Sequence, residues 1–151
     1  MKPSKKIIEH IKEFEQLRLE AYLPTPNDRW TIGYGNTFYE DGQPVRKCDK
    51  ITKERAEELF ANILDSFSEK TQSYIKRPLT INQFDALVSF SYNVGFGNFK
   101  ASTLLKEVNK DPDDYHAITT QFMRWNKQSG KVLQGLVRRR IAEANIYCNG
   151  F

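Results

Sequence analysis

Apolar residues recur at spacings of three and four along most of this 151-residue chain, which is the period of amphipathic helices. A first helix is predicted over residues 7–17, with Ser4 as its N-cap. The best-defined boundary lies at Ile81, because Thr80 and Gln83 have the Thr-x-x-Gln spacing of a capping box. The chain is therefore expected to pack several helices together.

The helical period is interrupted between about residues 28 and 48, and we expect the β structure to be confined to this stretch. Residues 30–35 (WTIGYG) predict a short strand whose glycines let other backbone come close. Asp41-Gly42 is a strong signal for a hairpin turn. A second strand is expected to return through Val45.

Helical spacing resumes after Thr52, which is predicted to cap a long helix, and it continues to the end of the chain. Gly130 and Gly135 are expected to bracket a loop before the last helix. No linker or repeat divides the chain, so we predict one α+β domain over residues 1–151. Its expected parts are a small β-hairpin lobe, a larger mostly helical lobe and a cleft between them, where a site would lie.

Charge and composition exclude several classes of function. The chain has 23 Lys and Arg residues against 19 acids, and its net charge of +4 favours an anionic partner, but no basic stripe for nucleic acid is evident. Cys48, Cys148, His10 and His116 lack metal-ligand spacing, so we expect free thiols and no metal site. No phosphate-binding glycine motif, membrane-spanning run or export signal is present, which predicts a soluble protein without a cofactor.

Two carboxylates near the interruption have an arrangement that suits glycoside hydrolysis. Glu15 lies at the end of the first predicted helix, where partial burial would keep a general acid protonated. Asp28 follows in the loop, and the hydroxyl of Thr31 could orient a water. Spacing alone is weak evidence, because Glu15 next to Glu13 is more typical of a solvated helix face.

Three sequence blocks, in order along most of the chain, carry a family resemblance. The first comprises residues 15–22 (EQLRLEAY) and 30–37 (WTIGYGNT), the second residues 79–95 (LTINQFDALVSFSYNVG), and the third residues 122–126 (FMRWN) with 130–140 (GKVLQGLVRRR). Together they resemble the phage-type lysozymes, the endolysin muramidases of glycoside hydrolase family 24. The resemblance implies a lysozyme-like α+β fold and cleavage of the β-1,4 bond between N-acetylmuramic acid and N-acetylglucosamine in peptidoglycan.

The resemblance assigns the general acid to Glu15 and the positioning of the attacking water to Thr31, with inversion at the anomeric carbon. Where the family usually has an aspartate, nine positions after the glutamate, this chain has Pro24, and the segment before Thr31 is one residue longer. Asp28 is the only carboxylate in this loop, and we hypothesise that a rerouted turn delivers it to the same side of the scissile bond. The alternative is that Asp28 only caps a turn and that Glu15 with a Thr31-bound water suffices. Asn36 stands where the family usually has a histidine.

Three further residues are candidates for binding substrate. Tyr34, Asn93 and Gln128 could hydrogen-bond sugar amides or hydroxyls. Tyr34 could instead only pack, and Asn93 could only cap the helix end before Gly95. Trp125 is expected to belong to the core, with sugar stacking as the less favoured role.

We therefore expect a monomeric endolysin that acts on bacterial peptidoglycan and needs neither metal nor cofactor. It would bind no nucleic acid and would not insert stably into a membrane. Before lysis it would accumulate in the host cytoplasm, and it would then act in the periplasm or cell wall. Two other functions stay open: a lytic transglycosylase that forms 1,6-anhydro ends, and a module that binds glycans without cleaving them.

Overall fold

The computed structural model of the protein describes residues 1–151 and contains seven helices and two small antiparallel sheets. The helices are α1 (Lys5–Glu15), α2 (Lys53–Tyr74), α3 (Ile81–Val94), α4 (Phe96–Ala101), α5 (Thr103–Lys110), α6 (Tyr115–Met123) and α7 (Gln134–Asn149). The strands are β1 (Arg18–Tyr22), β2 (Thr31–Gly33), β3 (Lys127–Gln128) and β4 (Lys131–Val132). The chain forms two compact units, which we call the β-bearing unit (residues 9–66) and the helical unit (residues 1–8 and 67–151).

Strand β1 pairs antiparallel with β2 in the β-bearing unit, with Tyr22 opposite Thr31 and Arg18 opposite Gly33. The prediction that β structure is confined to residues 28–48 is therefore wrong, because β1 lies before that stretch. Only Ala21 of the five residues of β1 is buried. The strand consequently lacks the alternation of apolar and polar residues by which a strand is recognised in sequence.

The predicted hairpin turn at Asp41-Gly42 is confirmed. Phe38 pairs with Pro44 across the turn, and Gly42 adopts a φ of +84°, which glycine tolerates without steric cost. The return through Val45 consists of one hydrogen bond, from the Val45 N–H to the Thr37 carbonyl at 3.0 Å, rather than a regular strand.

Glu40 anchors this hairpin to α2. Its carboxylate oxygens accept hydrogen bonds from the Arg55 guanidinium at 2.6 and 2.7 Å and from the Asn62 amide at 2.9 Å. The hydrogen bonds from Arg55 lower the pKa of Glu40 to about 2. The hairpin is thus held by a bidentate, charge-assisted contact, which is stronger than a neutral hydrogen bond.

Helix α2 begins after Thr52 as predicted, and the Thr52 hydroxyl accepts a hydrogen bond from the Arg55 N–H at 3.1 Å. Its apolar face in the β-bearing unit is buried, as its spacing indicated. The buried residues of this face are Ala56, Leu59, Phe60, Ile63 and Leu64. These side chains form much of the core of the unit.

Helix α3 is the buried centre of the helical unit, and both of its predicted ends are confirmed. The Thr80 hydroxyl accepts from the Gln83 N–H at 3.2 Å, the Gln83 side chain accepts from the Thr80 N–H at 2.9 Å, and Gly95 closes the helix with a φ of +91°. Ser4 caps α1 as predicted, and its N–H and hydroxyl both donate to the Asp85 carboxylate of α3. The first turn of α1 is therefore tied to α3 within this unit.

The segment before the last helix differs from its prediction. Strands β3 and β4 form a small hairpin whose turn residues, Ser129 and Gly130, have φ of +52° and +78°. Helix α7 begins at Gln134, so Gly135 lies inside the helix and does not bound a loop. Strands of two residues are too short to show a period in sequence, which explains the missed hairpin.

Two expectations concern the chain as a whole. Cys48 and Cys148 carry free thiols, as expected, with Cys48 in the β-bearing unit and Cys148 in the helical unit. None of the seven helices combines the length and the apolar character that crossing a membrane requires.

The pairing of Glu40 predicts a pH-dependent stability. Because its pKa is about 2 in the folded chain and 4.5 ordinarily, its contribution is fully present above pH 4.5 and is lost as the pH falls toward 2. We expect Glu40→Gln to lower the free energy of unfolding by about 1 kcal/mol at pH 6, and by progressively less from pH 4.5 to pH 3, in urea titrations. Glu58→Gln is the matched control, since Glu58 contacts the same Arg55 at 2.8 Å but is 64% exposed, and it should cost less at pH 6. Equal losses for both variants would contradict the anchoring role.

Candidate active site

Glu15 is the last residue of α1 and lies in the β-bearing unit. The Gln16 N–H makes the last hydrogen bond of the helix, to the Lys12 carbonyl at 3.1 Å. The helix ends there because Gln16 adopts a left-handed φ of +47°. The Lys12 ammonium donates to the Glu57 carboxylate of α2 at 2.6 Å. Glu15 is therefore carried on a helix end whose position is fixed by a charged contact.

Gly35 allows the backbone that follows β2 to pass directly beside Glu15. Ile32 and Asn36 exchange backbone hydrogen bonds at 2.8 and 2.9 Å, which closes a turn in which Gly33 and Gly35 have φ of +66° and +75°. A Cβ at Gly35 would overlap the Glu15 carboxylate, at 2.9 Å from its carboxyl carbon. The turn thus needs glycine at this position for conformation and for space.

Thr31 is 5% exposed and lies in β2, one residue before this turn. Its hydroxyl donates a hydrogen bond to the Arg29 carbonyl at 3.0 Å. A hydroxyl has one proton and two lone pairs, so the remaining capacity of Thr31 is to accept. A water bound to Thr31 would consequently donate a hydrogen bond to the threonine hydroxyl oxygen.

Asp28 is exposed and closes a turn of its own. Its N–H donates to the Thr25 carbonyl at 3.0 Å, and the Thr25 hydroxyl donates to its carboxylate at 3.0 Å. The geometry therefore includes the turn-closing role that the sequence offered as the alternative. One carboxylate oxygen has no part in the bond to Thr25 and could accept from a water, so the catalytic role of Asp28 stays a prediction.

Tyr34 is 7% exposed, which favours a packing role over a contact with sugar. Its hydroxyl donates to the Glu57 carboxylate at 2.6 Å, and its ring packs against Phe60 with centroids 5.2 Å apart. Burial and the hydrogen bond to Glu57 raise the pKa of Tyr34 to about 12. Its hydroxyl therefore stays protonated and engaged over the physiological range.

Asn93 and Gln128 lie in the helical unit, where they line one pocket of about 330 Å³ together with Trp125. The Arg140 guanidinium donates to the Asn93 side-chain oxygen at 2.8 Å. Because arginine has only donors, the amide oxygen of Asn93 must face it, and the amide nitrogen is left as a donor. Trp125 packs edge-on against Phe90 with centroids 5.5 Å apart, in agreement with its expected core role.

Arg140 belongs to a buried charged group that the sequence analysis missed. Arg140 and Glu143 are both 0% exposed, and they contact each other at 2.7 Å. The Ser89 hydroxyl donates to Glu143 at 2.6 Å. The spacing of Arg140 and Glu143 by three residues on one helix is a signal that could have indicated the pair, whereas its burial has no local signature.

The structure offers no cluster of metal ligands. No three His, Cys, Asp or Glu side chains converge in a way that could hold an ion. His10 instead packs against Phe14, with ring centroids 4.9 Å apart. The polar groups of the two candidate regions are carboxylates, hydroxyls, amides and basic side chains.

The chain is similar in sequence to a known protein family and to named relatives. The phage lysozyme family model matches residues 12–143. The endolysin of Bacillus phage B103 is 41% identical over 141 residues, which are 93% of this chain and 51% of the relative, so the chain spans about half the length of that relative.

Two solved structures resemble the whole chain. The endolysin from Escherichia coli O157:H7 phage FAHEc1 is 37% identical with a TM-score of 0.85, over 100% of this chain and 96% of that one. The muramidase domain of SpmX from Asticaccaulis excentricus is 36% identical with a TM-score of 0.81, over 97% of each chain. These likenesses confirm the predicted lysozyme-like α+β fold class.

The contact between Gly35 and Glu15 predicts a specific effect of Gly35→Ala. The added methyl group must displace the Glu15 carboxylate. If Glu15 has the catalytic role that the sequence resemblance implies, we expect a loss of about a hundredfold in the rate of clearing the implied substrate, peptidoglycan, since misplacement of a reacting group by about 1 Å has that effect. Gly42→Ala is the control, because Gly42 also has a positive φ but its added methyl group would have no other atom within 4 Å. Both variants should lose similar stability from backbone strain, about 1–2 kcal/mol, and only Gly35→Ala should lose activity.

The orientation of Asn93 predicts the result of Asn93→Asp. A carboxylate at this position still accepts from Arg140 but has no donor, so we expect unchanged or higher thermal stability. If Asn93 binds the substrate that the resemblance implies, the KM for peptidoglycan should rise about tenfold. Asn98→Asp places the same charge in the same pocket and is the control for charge, and its own loss of the hydrogen bond from the Asn98 amide to the Val94 carbonyl at 2.7 Å is followed by thermal unfolding. An unchanged KM for Asn93→Asp would show that Asn93 acts only as a structural acceptor.

Proposed function

The chain belongs to the phage lysozyme family, and on that basis we propose that it is an endolysin that hydrolyses the β-1,4 bond between N-acetylmuramic acid and N-acetylglucosamine in bacterial peptidoglycan. The observation that carries the proposal is the position of Glu15, whose carboxylate lies against the backbone of Gly35 at the end of a fixed helix. The family match includes this segment and Thr31.

Glu15 is the proposed general acid. In its protonated form it gives its proton to the glycosidic oxygen as the bond to the anomeric carbon breaks, so the leaving sugar departs as an alcohol. The Gly35 backbone lies directly beside the Glu15 carboxyl, so the carboxyl has no room to move toward the turn. This contact limits the orientations that the carboxyl can take. This restriction favours a productive approach to the leaving oxygen.

Thr31 and Asp28 are the proposed partners of the attacking water. The water donates a hydrogen bond to the Thr31 hydroxyl oxygen and keeps that proton, while the proton of Thr31 itself is engaged with the Arg29 carbonyl. Its second proton passes to the Asp28 carboxylate as its oxygen bonds to the anomeric carbon. Attack from the face opposite the leaving group inverts that carbon.

The proposed substrate also suits the charge of the protein. A net charge of +4 favours association with an anionic wall polymer. The proposed place of action is the bacterial cell wall. Accumulation in the host cytoplasm before lysis, and the monomeric state, stay predictions.

Digestion of purified peptidoglycan, with the new sugar ends identified by mass spectrometry, tests the function. We expect reducing ends from the wild type and a loss of about 10²–10⁴-fold in rate for Glu15→Gln, because the general acid is removed. Glu13→Gln is the matched control, since Glu13 is exposed on the same helix. Anhydro ends would identify a lytic transglycosylase, and binding without cleavage by the folded wild type would identify a glycan-binding module.

Asp28→Asn in the same assay separates the two roles of Asp28. The asparagine oxygen can still accept from the Thr25 hydroxyl, so the turn is kept while the base is lost. A rate of cleavage lowered about a hundredfold would support the role of Asp28 as the general base. A rate equal to that of the wild type would show that Asp28 only closes its turn and has no catalytic role.

A further inference from the structure

Charge is distributed unevenly between the two compact units. The helical unit has 15 Lys and Arg residues against 7 acids, whereas the β-bearing unit has 8 against 12. Arg139, Arg140 and Glu143 of the helical unit are buried and add little to this difference at its surface. Ten of the thirteen exposed Lys and Arg side chains of this unit are lysines. The excess positive charge of the chain therefore lies on the helical unit and is carried mainly by lysine.

Two of these lysines belong to a cluster formed by helices α2 and α4. Lys70 and Tyr74 are four residues apart on α2, and Phe96 and Lys100 are four residues apart on α4. Residues at this spacing share one face of a helix. The Tyr74 and Phe96 rings pack against each other with their centroids 5.4 Å apart. These four residues, the α2–α4 cluster, thus bring together one ring and one lysine from each helix.

Each lysine of the cluster lies over the ring that the other helix contributes. The Lys70 ammonium is 5.4 Å from the Phe96 centroid, and the Lys100 ammonium is 5.4 Å from the Tyr74 centroid. Cation–π attraction at this distance favours one position of a side chain that otherwise has many rotamers. The rings are half-buried, and Phe96 also packs against the fully buried Phe99 with centroids 6.4 Å apart. The two ammonium groups are therefore positioned on a fixed base.

The two ammonium groups of the cluster have no acidic partner. Those of Lys70 and Lys100 make no ion pair or hydrogen bond within the chain, in contrast to the ammonium of Lys12, which is engaged with Glu57. An ammonium has three donors, and a ring face takes up only the side that is directed toward it. Both lysines are exposed. The cluster consequently presents two positioned cations whose remaining donors are available to an anion.

The chemistry of the cluster favours a polymer of phosphates over other anionic partners. Lysine binds phosphate as a point charge, whereas the binding of a carboxylate in a fixed geometry is typical of arginine. A membrane-binding surface adds exposed apolar side chains to its cations, but the rings of this cluster are half-buried. A site that stacks nucleic acid bases needs open ring faces, and here a lysine lies over each ring.

We propose that the α2–α4 cluster binds phosphodiester groups of an anionic polymer of the bacterial cell wall and thereby holds the enzyme on the wall. Lys70 and Lys100 donate hydrogen bonds to the non-bridging phosphate oxygens. The other exposed lysines of the helical unit add a long-range attraction that salt screens. The cell wall as the source of the polymer rests on the proposed function. No step of the proposed hydrolysis uses this cluster.

Titration of fluorescently labelled poly(glycerol phosphate) with the full chain, followed by anisotropy, tests the binding. We expect Lys70→Gln with Lys100→Gln to weaken binding about tenfold at about 0.1 M salt, because two charged contacts are lost. Lys5→Gln with Lys131→Gln is the matched control, since it removes two exposed lysines from the same unit outside the cluster. The control should weaken binding by about twofold at most. Equal weakening by the two pairs would show that only net charge matters and would overturn the proposal.

A second pair of substitutions separates the position of the ammonium groups from their charge. Tyr74→Leu with Phe96→Leu keeps both lysines and the net charge but removes the cation–π contacts. We therefore expect binding of the polymer to weaken about threefold. Binding equal to that of the wild type would contradict the positioning role of the rings. Thermal unfolding of every variant checks that the fold is retained.

Competing ligands identify the chemistry of the partner. Unlabelled poly(glycerol phosphate) should displace the labelled polymer, whereas polyglutamate of equal charge should need a concentration about tenfold higher. Vesicles that contain an anionic phospholipid and single-stranded DNA test the other two partners. Tighter binding to either of these, lost in Lys70→Gln with Lys100→Gln, would overturn the wall polymer as the partner. Equal competition by polyglutamate would overturn the preference for phosphate.

Binding of the Glu15→Gln variant to purified cell walls distinguishes this proposal from the proposed function. Walls that retain their phosphodiester polymers should bind about tenfold more tightly than walls from which acid extraction has removed them. Adding Lys70→Gln with Lys100→Gln should abolish this difference. Cleavage of peptidoglycan by the wild type without such a difference in binding would overturn the role of the cluster alone. A difference in binding without cleavage by the folded wild type would overturn the hydrolytic function and leave the cluster supported.

Discussion

The Glu57 carboxylate is the contact on which the β-bearing unit depends. It accepts hydrogen bonds at 2.6 Å from Lys12 of α1 and at 2.6 Å from Tyr34 in the turn after β2, while its own backbone belongs to α2. The hydrogen bond from Lys12 lowers the pKa of Glu57, so the carboxylate keeps its charge. The helix end that carries Glu15 and the turn that carries Gly35 are thereby fixed to the same residue, and their close approach follows from it.

The helical unit uses a buried charge pair in a different way. Taking Arg140 and Glu143 out of water is costly, and such a pair contributes less net stability than its short distance suggests, although removal of one partner would be strongly destabilising. Burial raises the pKa of Glu143. The geometric result is that Arg140 holds the amide of Asn93 in one orientation. The pair therefore defines which hydrogen-bonding group the pocket presents.

Features with local chemical causes could be predicted from the sequence, and features that depend on distant contacts could not. The Thr80–Gln83 capping box and the Asp41-Gly42 turn were predictable because each is specified by neighbouring residues. Strand β1 was missed because its pairing with β2, and not its own pattern, makes it a strand. Burial of Arg140 was missed for the same kind of reason, since a run of three arginines has no local sign of which one is enclosed.

In the proposed mechanism, Thr31 and Asp28 together would restrict the attacking water more than either residue would alone. The Thr31 proton is engaged with the Arg29 carbonyl, and the Asp28 carboxylate has no proton to give when ionised. Both residues can then only accept, so a water between them must direct both of its protons toward the protein. Its lone pairs are left pointing away from the two acceptors, which is the orientation that nucleophilic attack requires. If Asp28 only closes its turn, the water keeps one protein acceptor and can rotate about that hydrogen bond. Thr31 would then fix the position of the water but not the direction of its lone pairs.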